Sequence, residues 1–213
     1  MTINVTLPQI LHLAPNTQSS YREAFQNGQA VLDHYKISET RLRVAHFMTQ
    51  ILHETNGFTI QFENLNYSAE RLPKVWPSHF KPKGPLNPIG YAHDQQKLAN
   101  EVYGGRMGNT EPNDGYTYRG RGLLQLTGKA SYQAATTLLR KENPAAPDLV
   151  TSPDEVSGAN WCLAIAASAW VSKGCNALAD QDNIRKITRA INGGLIGLNE
   201  RIEWAKRTNA VWR

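Results

Sequence analysis

The segment from Trp161 to Val171 is apolar on nearly every face and is closed by Gly174. A helix with no polar side has nothing to show to water, so the rest of the chain must wrap around it. Its alanine-rich run, Cys162–Trp170, is interrupted by Ser168. It falls far short of the ~18 residues a membrane span needs. With 213 residues in all, the chain is long enough to bury one sizeable core around such a helix. One domain over residues 1–213 is therefore expected, α+β in class and mainly α, with a small β-hairpin or sheet.

Helix signals dominate the rest of the chain. Asn16-Thr17 followed by Tyr21, Phe25 and Val31-Leu32 predicts a long first helix ending near His34–Lys36. Ser38 reads as an N-cap with Glu39 in the first turn. Leu42, Ala45, Met48, Thr49 and Leu52 follow at helical spacing until Gly57 supplies a stop. Ser152-Pro153-Asp154-Glu155 has the form of a capping box. Further helices are expected at Lys129–Lys141, Asn183–Ile191 and Asn199–Val211, and short strands at Phe58–Phe62 and Tyr116–Tyr118. From Lys74 to Asp114 the texture changes: Pro77, Pro82, Pro85, Pro88 and Pro112, with interspersed glycines, leave only His93–Tyr103 looking helical. Residues 74–114 thus read as an inserted loop-rich lobe.

Charge narrows the partners. A net charge of +5 favours something anionic, such as nucleic acid, a membrane surface or a bacterial wall. The basic residues are scattered without a run, which argues against nucleic acid, and no stable membrane association is expected. His53-Glu54 does not open an HExxH motif, because Gly57 stands where the second histidine belongs. The 6 histidines are dispersed, so no metal and no cofactor are expected. The 2 cysteines, Cys162 and Cys175, read as buried free thiols rather than a disulfide framework. Met1–Pro15 has no basic residue ahead of its apolar ones, unlike a secretory signal, so synthesis in the cytoplasm is expected.

Two groups of residues have the chemistry of a reaction centre. Glu54 ends an amphipathic helix beside core-facing residues, where a carboxyl is partly desolvated, the condition that favours its protonated form. Glu63 follows a glycine turn and the short Phe58–Phe62 strand, so the chain can double back and set it across a cleft from Glu54. Two carboxyls in unlike surroundings are what acid/base cleavage of a glycosidic bond requires. The second group is Tyr118-Arg119-Gly120-Arg121-Gly122-Leu123-Leu124-Gln125-Leu126-Thr127-Gly128. Its glycines permit close backbone approach. Gln125 and Thr127, on one face of an extended segment, would offer an amide and a hydroxyl to sugar or water. A structural turn is the alternative, while phosphate-loop and dinucleotide spacings both fail. Trp76, Tyr91, Tyr103, Tyr116 and Tyr118 are candidates to stack on sugar faces.

Taken in order, His53-Glu54-Thr55-Asn56-Gly57, then Glu63, then the Tyr118–Thr127 segment and Ile191-Asn192-Gly193-Gly194 resemble the family 19 glycoside hydrolases, the chitinases and their phage and bacterial endolysin relatives. The resemblance runs from about Arg41 to Arg207. Glu63-Asn64-Leu65-Asn66-Tyr67-Ser68-Ala69-Glu70 and Arg106-Met107-Gly108-Asn109 are nearer the endolysin-like branch. The resemblance implies a lysozyme-like two-lobed globule with a substrate cleft and an inverting mechanism, with carboxyls ~6.5–9.5 Å apart. It puts Glu54 on the general acid, Glu63 on the general base and Thr127 on the residue that holds the attacking water. Gln125, Asn192 and Tyr118 fall in the substrate-binding set. Arg201 joins them, on a last-helix arginine that supports the acid's surroundings. It further implies hydrolysis of peptidoglycan glycan strands during host cell lysis, by a monomer that reaches the wall through a separate holin-like, membrane-permeabilising partner. Ser131 stands where plant chitinases usually carry a sugar-binding asparagine, which favours peptidoglycan over the alternative substrate, chitin. A wall-binding protein without catalysis is the alternative of another class.

Overall fold

The helix expected to be the buried axis spans Cys162–Ser172, with Leu163, Ile165, Ala166, Ala167 and Trp170 all buried. The protein, seen here in a computed structural model, is described over residues 2–213. In chain order its helices are α1 (Leu7–Leu13), α2 (Ser19–Gln26), α3 (Gln29–His34), α4 (Arg41–Glu54), α5 (Leu72–Val75), α6 (Gln95–Tyr103) and α7 (Asp114–Thr117). They continue with α8 (Lys129–Glu142), α9 (Cys162–Ser172), α10 (Cys175–Asp180), α11 (Ile184–Asn192) and α12 (Leu198–Val211). The largest apolar cluster gathers Ile10, Tyr21, Phe47, Met48, Phe58 and Trp170, which draws α1, α2, α4 and α9 into one core. A second cluster, with Tyr118, Tyr132, Leu139, Leu149 and Ile165, lies on the other side of α9 against α8. Cys162 and Cys175 are buried and free, and burial pushes both thiols up to about 12.

Local contacts revise several boundaries. The expected first helix is two, broken at Asn27-Gly28. A Cβ on Gly28 would lie 2.5 Å from Leu163 Cδ2 and 2.7 Å from the Ala24 carbonyl, so close packing on α9 keeps this position bare. The N-cap of α4 is Thr40, whose hydroxyl accepts from Arg43 N at 3.2 Å. Ser38 is instead fully buried, with its hydroxyl donated to Asp33. Ser152 caps no α-helix: its side chain makes no cap bond and Pro153–Ser157 forms only a 3₁₀ turn. In the N-terminal stretch, α1 is fixed by a reciprocal capping box between Thr6 and Gln9.

Strand structure is reduced to isolated bridges, Phe62 with Arg121, Arg121 with Leu126 and Phe80 with Leu86. Tyr116–Tyr118 is not a strand, since residues 114–117 form the helical turn α7. The inserted lobe has its own small core of Leu65, Leu72, Phe80, Leu98 and Val102, so its packing begins before residue 74. Trp76 belongs to this core, with its ring edge-on to Tyr67 at 5.0 Å.

One glycine governs how the Tyr118–Gly128 segment meets the main body. Gly122 has φ +72°, donates its N–H to Gln61 O at 2.9 Å, and a Cβ there would lie 2.4 Å from the Val156 carbonyl. Both the backbone region and the space admit only glycine. Gly122→Ala is expected to cost about 2–4 kcal/mol of stability, read as a lowered midpoint in chemical denaturation.

Candidate active site

Glu54 is placed by a polar stripe buried between α4 and α12. Residues one helical turn apart share a face, and here Gln50 and Glu54 both point at Arg201. The Arg201 guanidinium donates from one terminal nitrogen to Gln50 Oε1 at 2.5 Å and from the other to Glu54 Oε1 at 2.5 Å. Thr49 and Thr208 hydroxyls, 2.9 Å apart, continue the stripe. The planar fork of arginine suits this two-acceptor bridge, which a lysine point charge does not reproduce. Arg201 is a support rather than a groove residue: its side chain is 2% exposed, against 17% for Glu54. Among the described residues, Glu54 Oε2 makes no hydrogen bond to the protein. His53 packs beneath Gly197 at the start of α12, where a Cβ would lie 2.5 Å from its Nε2. Burial, and then the nearby Arg201 charge, lower its pKa and keep the imidazole neutral.

Glu63 is placed by donors from two directions. Its Oε1 accepts the Gly120 N–H at 2.6 Å and its Oε2 accepts the Tyr103 hydroxyl at 2.7 Å. Its own N–H returns to Gly120 O at 3.0 Å. Gly120 is also where the other residues converge: a Cβ there would lie 3.1 Å from Gln125 Oε1, 3.3 Å from Glu63 Cβ and 3.3 Å from Thr127 Oγ1. Glu63, Gln125 and Thr127 are thus brought together, though not by strand alternation. The Arg121–Leu126 bridge closes a tight turn in which Gln125 has φ +49° and donates its N–H to Gly122 O at 3.2 Å. Strained backbone of this kind persists only where the surroundings enforce it. The Gln125 side-chain amide donates to the Gly122 carbonyl at 3.0 Å, and the Thr127 hydroxyl to the Gln125 carbonyl at 2.9 Å.

Tyr118 leaves the site. It is 5% exposed, its ring packs edge-on to Tyr132 at 5.2 Å and its hydroxyl donates to Val150 O at 3.0 Å. The aromatic ring expected to face sugar is instead buried in the second core. Asn192 ends α11, exposed, with its amide 3.4 Å from Ile196 O in the loop that leads to Gly197 and His53. Its neighbour Ile191 joins Gln125 and Thr127 around a recess of about 370 Å³. This recess runs past Leu124, Ser131, Leu138 and Lys173 between α8 and the end of α9. Two polar anchors were not evident as such in the sequence. Gln50 looks like an ordinary helix residue, and Tyr103 is an aromatic that was read for sugar stacking. Among the described residues, no group of three or more His, Cys, Asp or Glu is placed to hold a metal ion, and no helix is long and apolar enough to cross a membrane.

No family model matches the chain. Its fold is similar to that of chitinase C from Streptomyces griseus, at TM-score 0.60 and 18% identity over 98% of this chain and 92% of that one. A bacterial family 19 chitinase gives TM-score 0.59 at 22% identity, covering 98% and 94% of the two chains. The class IV family 19 chitinase of Zea mays gives 0.53 at 16%, covering 92% and 81%. These likenesses establish a mainly helical, lysozyme-like chitinase fold. In sequence, a glycosyl hydrolase family 19 domain-containing protein of Haemophilus influenzae is 37% identical over 163 residues, 76% of this chain and 76% of that protein. Identity at that level over three quarters of both proteins, on this fold, makes the chain a member of glycosyl hydrolase family 19 and hence a chitinase-like glycosidase.

Proposed function

We propose that this glycosidase is an endolysin that hydrolyses the β-1,4 glycan strands of bacterial peptidoglycan, with Glu54 as general acid and Glu63 as general base. The family resemblance supplies the acid and base roles, and the way each carboxyl is held leaves it groups free for its part. Arg201 engages Oε1 of Glu54, which leaves Oε2 to carry a proton to the leaving oxygen. Glu63 is held by neutral donors, one on each oxygen, so its remaining lone pairs are available to take a proton from water. Thr127 has spent its hydroxyl proton on Gln125 O. Towards the groove it therefore offers only lone pairs. A water that donates one proton to Thr127 and the other to Glu63 turns its own lone pair to the sugar carbon. One displacement with the two carboxyls flanking the bond inverts the anomeric centre. Asn192, exposed at the end of α11, is available to a sugar substituent.

The observation that carries peptidoglycan over chitin is the recess beside Gln125 and Thr127. Peptidoglycan differs from chitin in bearing a lactyl-peptide substituent on alternate sugars. A recess of about 370 Å³, lined by Leu124, Leu126, Leu138 and Ala169 with Ser131 and Lys173, leaves room beside a glycan strand for a substituent that a chitin chain lacks. Its mixed apolar and cationic lining suits a short peptide ending in carboxylate.

The test sets purified sacculi against colloidal chitin under the same conditions, with mass spectrometry of released fragments. Sacculi are expected to clear, releasing muropeptides whose new reducing ends identify the bond cut. Release of soluble sugar from chitin with intact sacculi overturns the choice of substrate.

A further inference from the structure

The inserted lobe reaches the reaction centre through Tyr103. Tyr103 is the last residue of α6, and its hydroxyl reaches out of the lobe to Glu63 Oε2 at 2.7 Å. It is itself anchored. The Tyr103 carbonyl accepts from Asn109 Nδ2 at 2.9 Å, and Asn109 Oδ1 accepts the N–H of Lys129, the first residue of α8, at 2.9 Å. Asn109 is 1% exposed, so this link is sheltered from water. A second link runs from Lys129 Nζ to Asp114 at 3.1 Å, and Asp114 also accepts the N–H groups of Thr110 and Glu111. The end of α6 is thereby tied to the start of α8, just beyond Thr127. Burial, and then the Glu63 carboxylate, raise the Tyr103 hydroxyl above its ordinary range. It therefore stays protonated, as a neutral donor.

We infer that Tyr103 is a positioning residue for Glu63, through which the inserted lobe forms part of the reaction centre. This rests on the reading of Glu63 as the base. With Gly120 N–H on one oxygen and Tyr103 O–H on the other, the carboxylate plane is fixed from the Tyr118–Gly128 segment and the lobe at once. A base free to rotate about its side-chain torsions would spend much of its time turned from the water it must deprotonate. The aromatic ring is incidental to this role; the hydroxyl is what matters.

Tyr103→Phe separates the two, because it keeps the ring and deletes only the donor. On soluble peptidoglycan fragments, kcat is expected to fall about tenfold with KM within about twofold of the parent, since the interaction acts on the reacting geometry rather than on binding. Tyr91→Phe is the control: a candidate for sugar stacking in the sequence, Tyr91 instead packs its ring edge-on to Phe80 in the lobe core at 5.2 Å, and the variant keeps that ring while losing a comparable bond, to Glu101 at 3.2 Å. That variant should keep the parental kcat, and both should melt at similar temperatures. Parental kcat in Tyr103→Phe, while Glu63→Gln is inactive, overturns the inference and leaves the base assignment standing. A loss of kcat matched by Tyr91→Phe, or carried by a rise in KM, also overturns it. Full activity in Glu63→Gln overturns the base assignment itself.

Discussion

Glu54→Gln should abolish turnover of sacculi while leaving the protein folded, with a loss of roughly 10²–10⁴-fold in kcat, the usual contribution of a positioned general acid. The substitution is chosen for what it preserves. Glutamine keeps an oxygen where Glu54 Oε1 accepts from Arg201, and it keeps the side chain's volume beside His53. Arg201 therefore keeps a hydrogen-bond acceptor at each terminal nitrogen, although it loses the carboxylate that neutralises its buried charge, which costs some stability. What glutamine lacks is a proton it can give to a leaving oxygen. A cooperative melt at a lowered midpoint, with clearance of sacculi gone, is the expected pair of results. Clearance at the parental rate would mean that hydrolysis does not run through position 54. Arg201→Lys makes a useful companion, because one ammonium must choose between Gln50 and Glu54 where the guanidinium serves both.

These two variants also mark where the sequence was legible. Glu54 and Glu63 lie close along the chain, so a helix end, a glycine turn and a few extended residues were enough to bring them into consideration together. The apolar helix α9 was equally readable, because a segment without a polar face has one possible destination. What sets the chemistry is less local. Arg201 meets Gln50 and Glu54 from the far end of the chain, and Tyr103 meets Glu63 from within the inserted lobe. No periodicity reports such pairings. Turn chemistry misled in both directions. Alternation placed Gln125 and Thr127 on one face of a strand, whereas a left-handed Gln125 in a closed turn brings them together. Residue type and resemblance offered Tyr118 to the groove, yet its hydroxyl is spent on Val150 and its ring on Tyr132. Ser38 and Ser152 have the right residue type for caps. Ser38 is diverted by Asp33, and Ser152 precedes a short 3₁₀ turn that ends at Gly158.

Removing the base leaves a different kind of vacancy. In Glu63→Ala, the Gly120 N–H and the Tyr103 hydroxyl lose the two oxygens that accept from them, and a cavity lined by two donors is a site for a small anion. The rate should fall by roughly 10²–10⁴-fold, as for other positioned bases. Added azide or formate should then restore part of it, because either fits between the two donors and one of them can attack, or deprotonate water, from the vacated face. Glu54→Ala should show no comparable recovery with the same anions, since its role is to supply a proton. The stereochemistry of the parent enzyme completes the argument. Attack from the Glu63 side, opposite the Glu54 side, converts a β linkage into an α reducing end in the first turnovers, which proton NMR of fresh digests distinguishes before mutarotation. Fresh product in the β form would require a double displacement, through a covalent intermediate on a carboxyl or through the substrate's own acetamido group. On either route Glu63 would not be activating water in the first step, and the water held between it and Thr127 would have no place there.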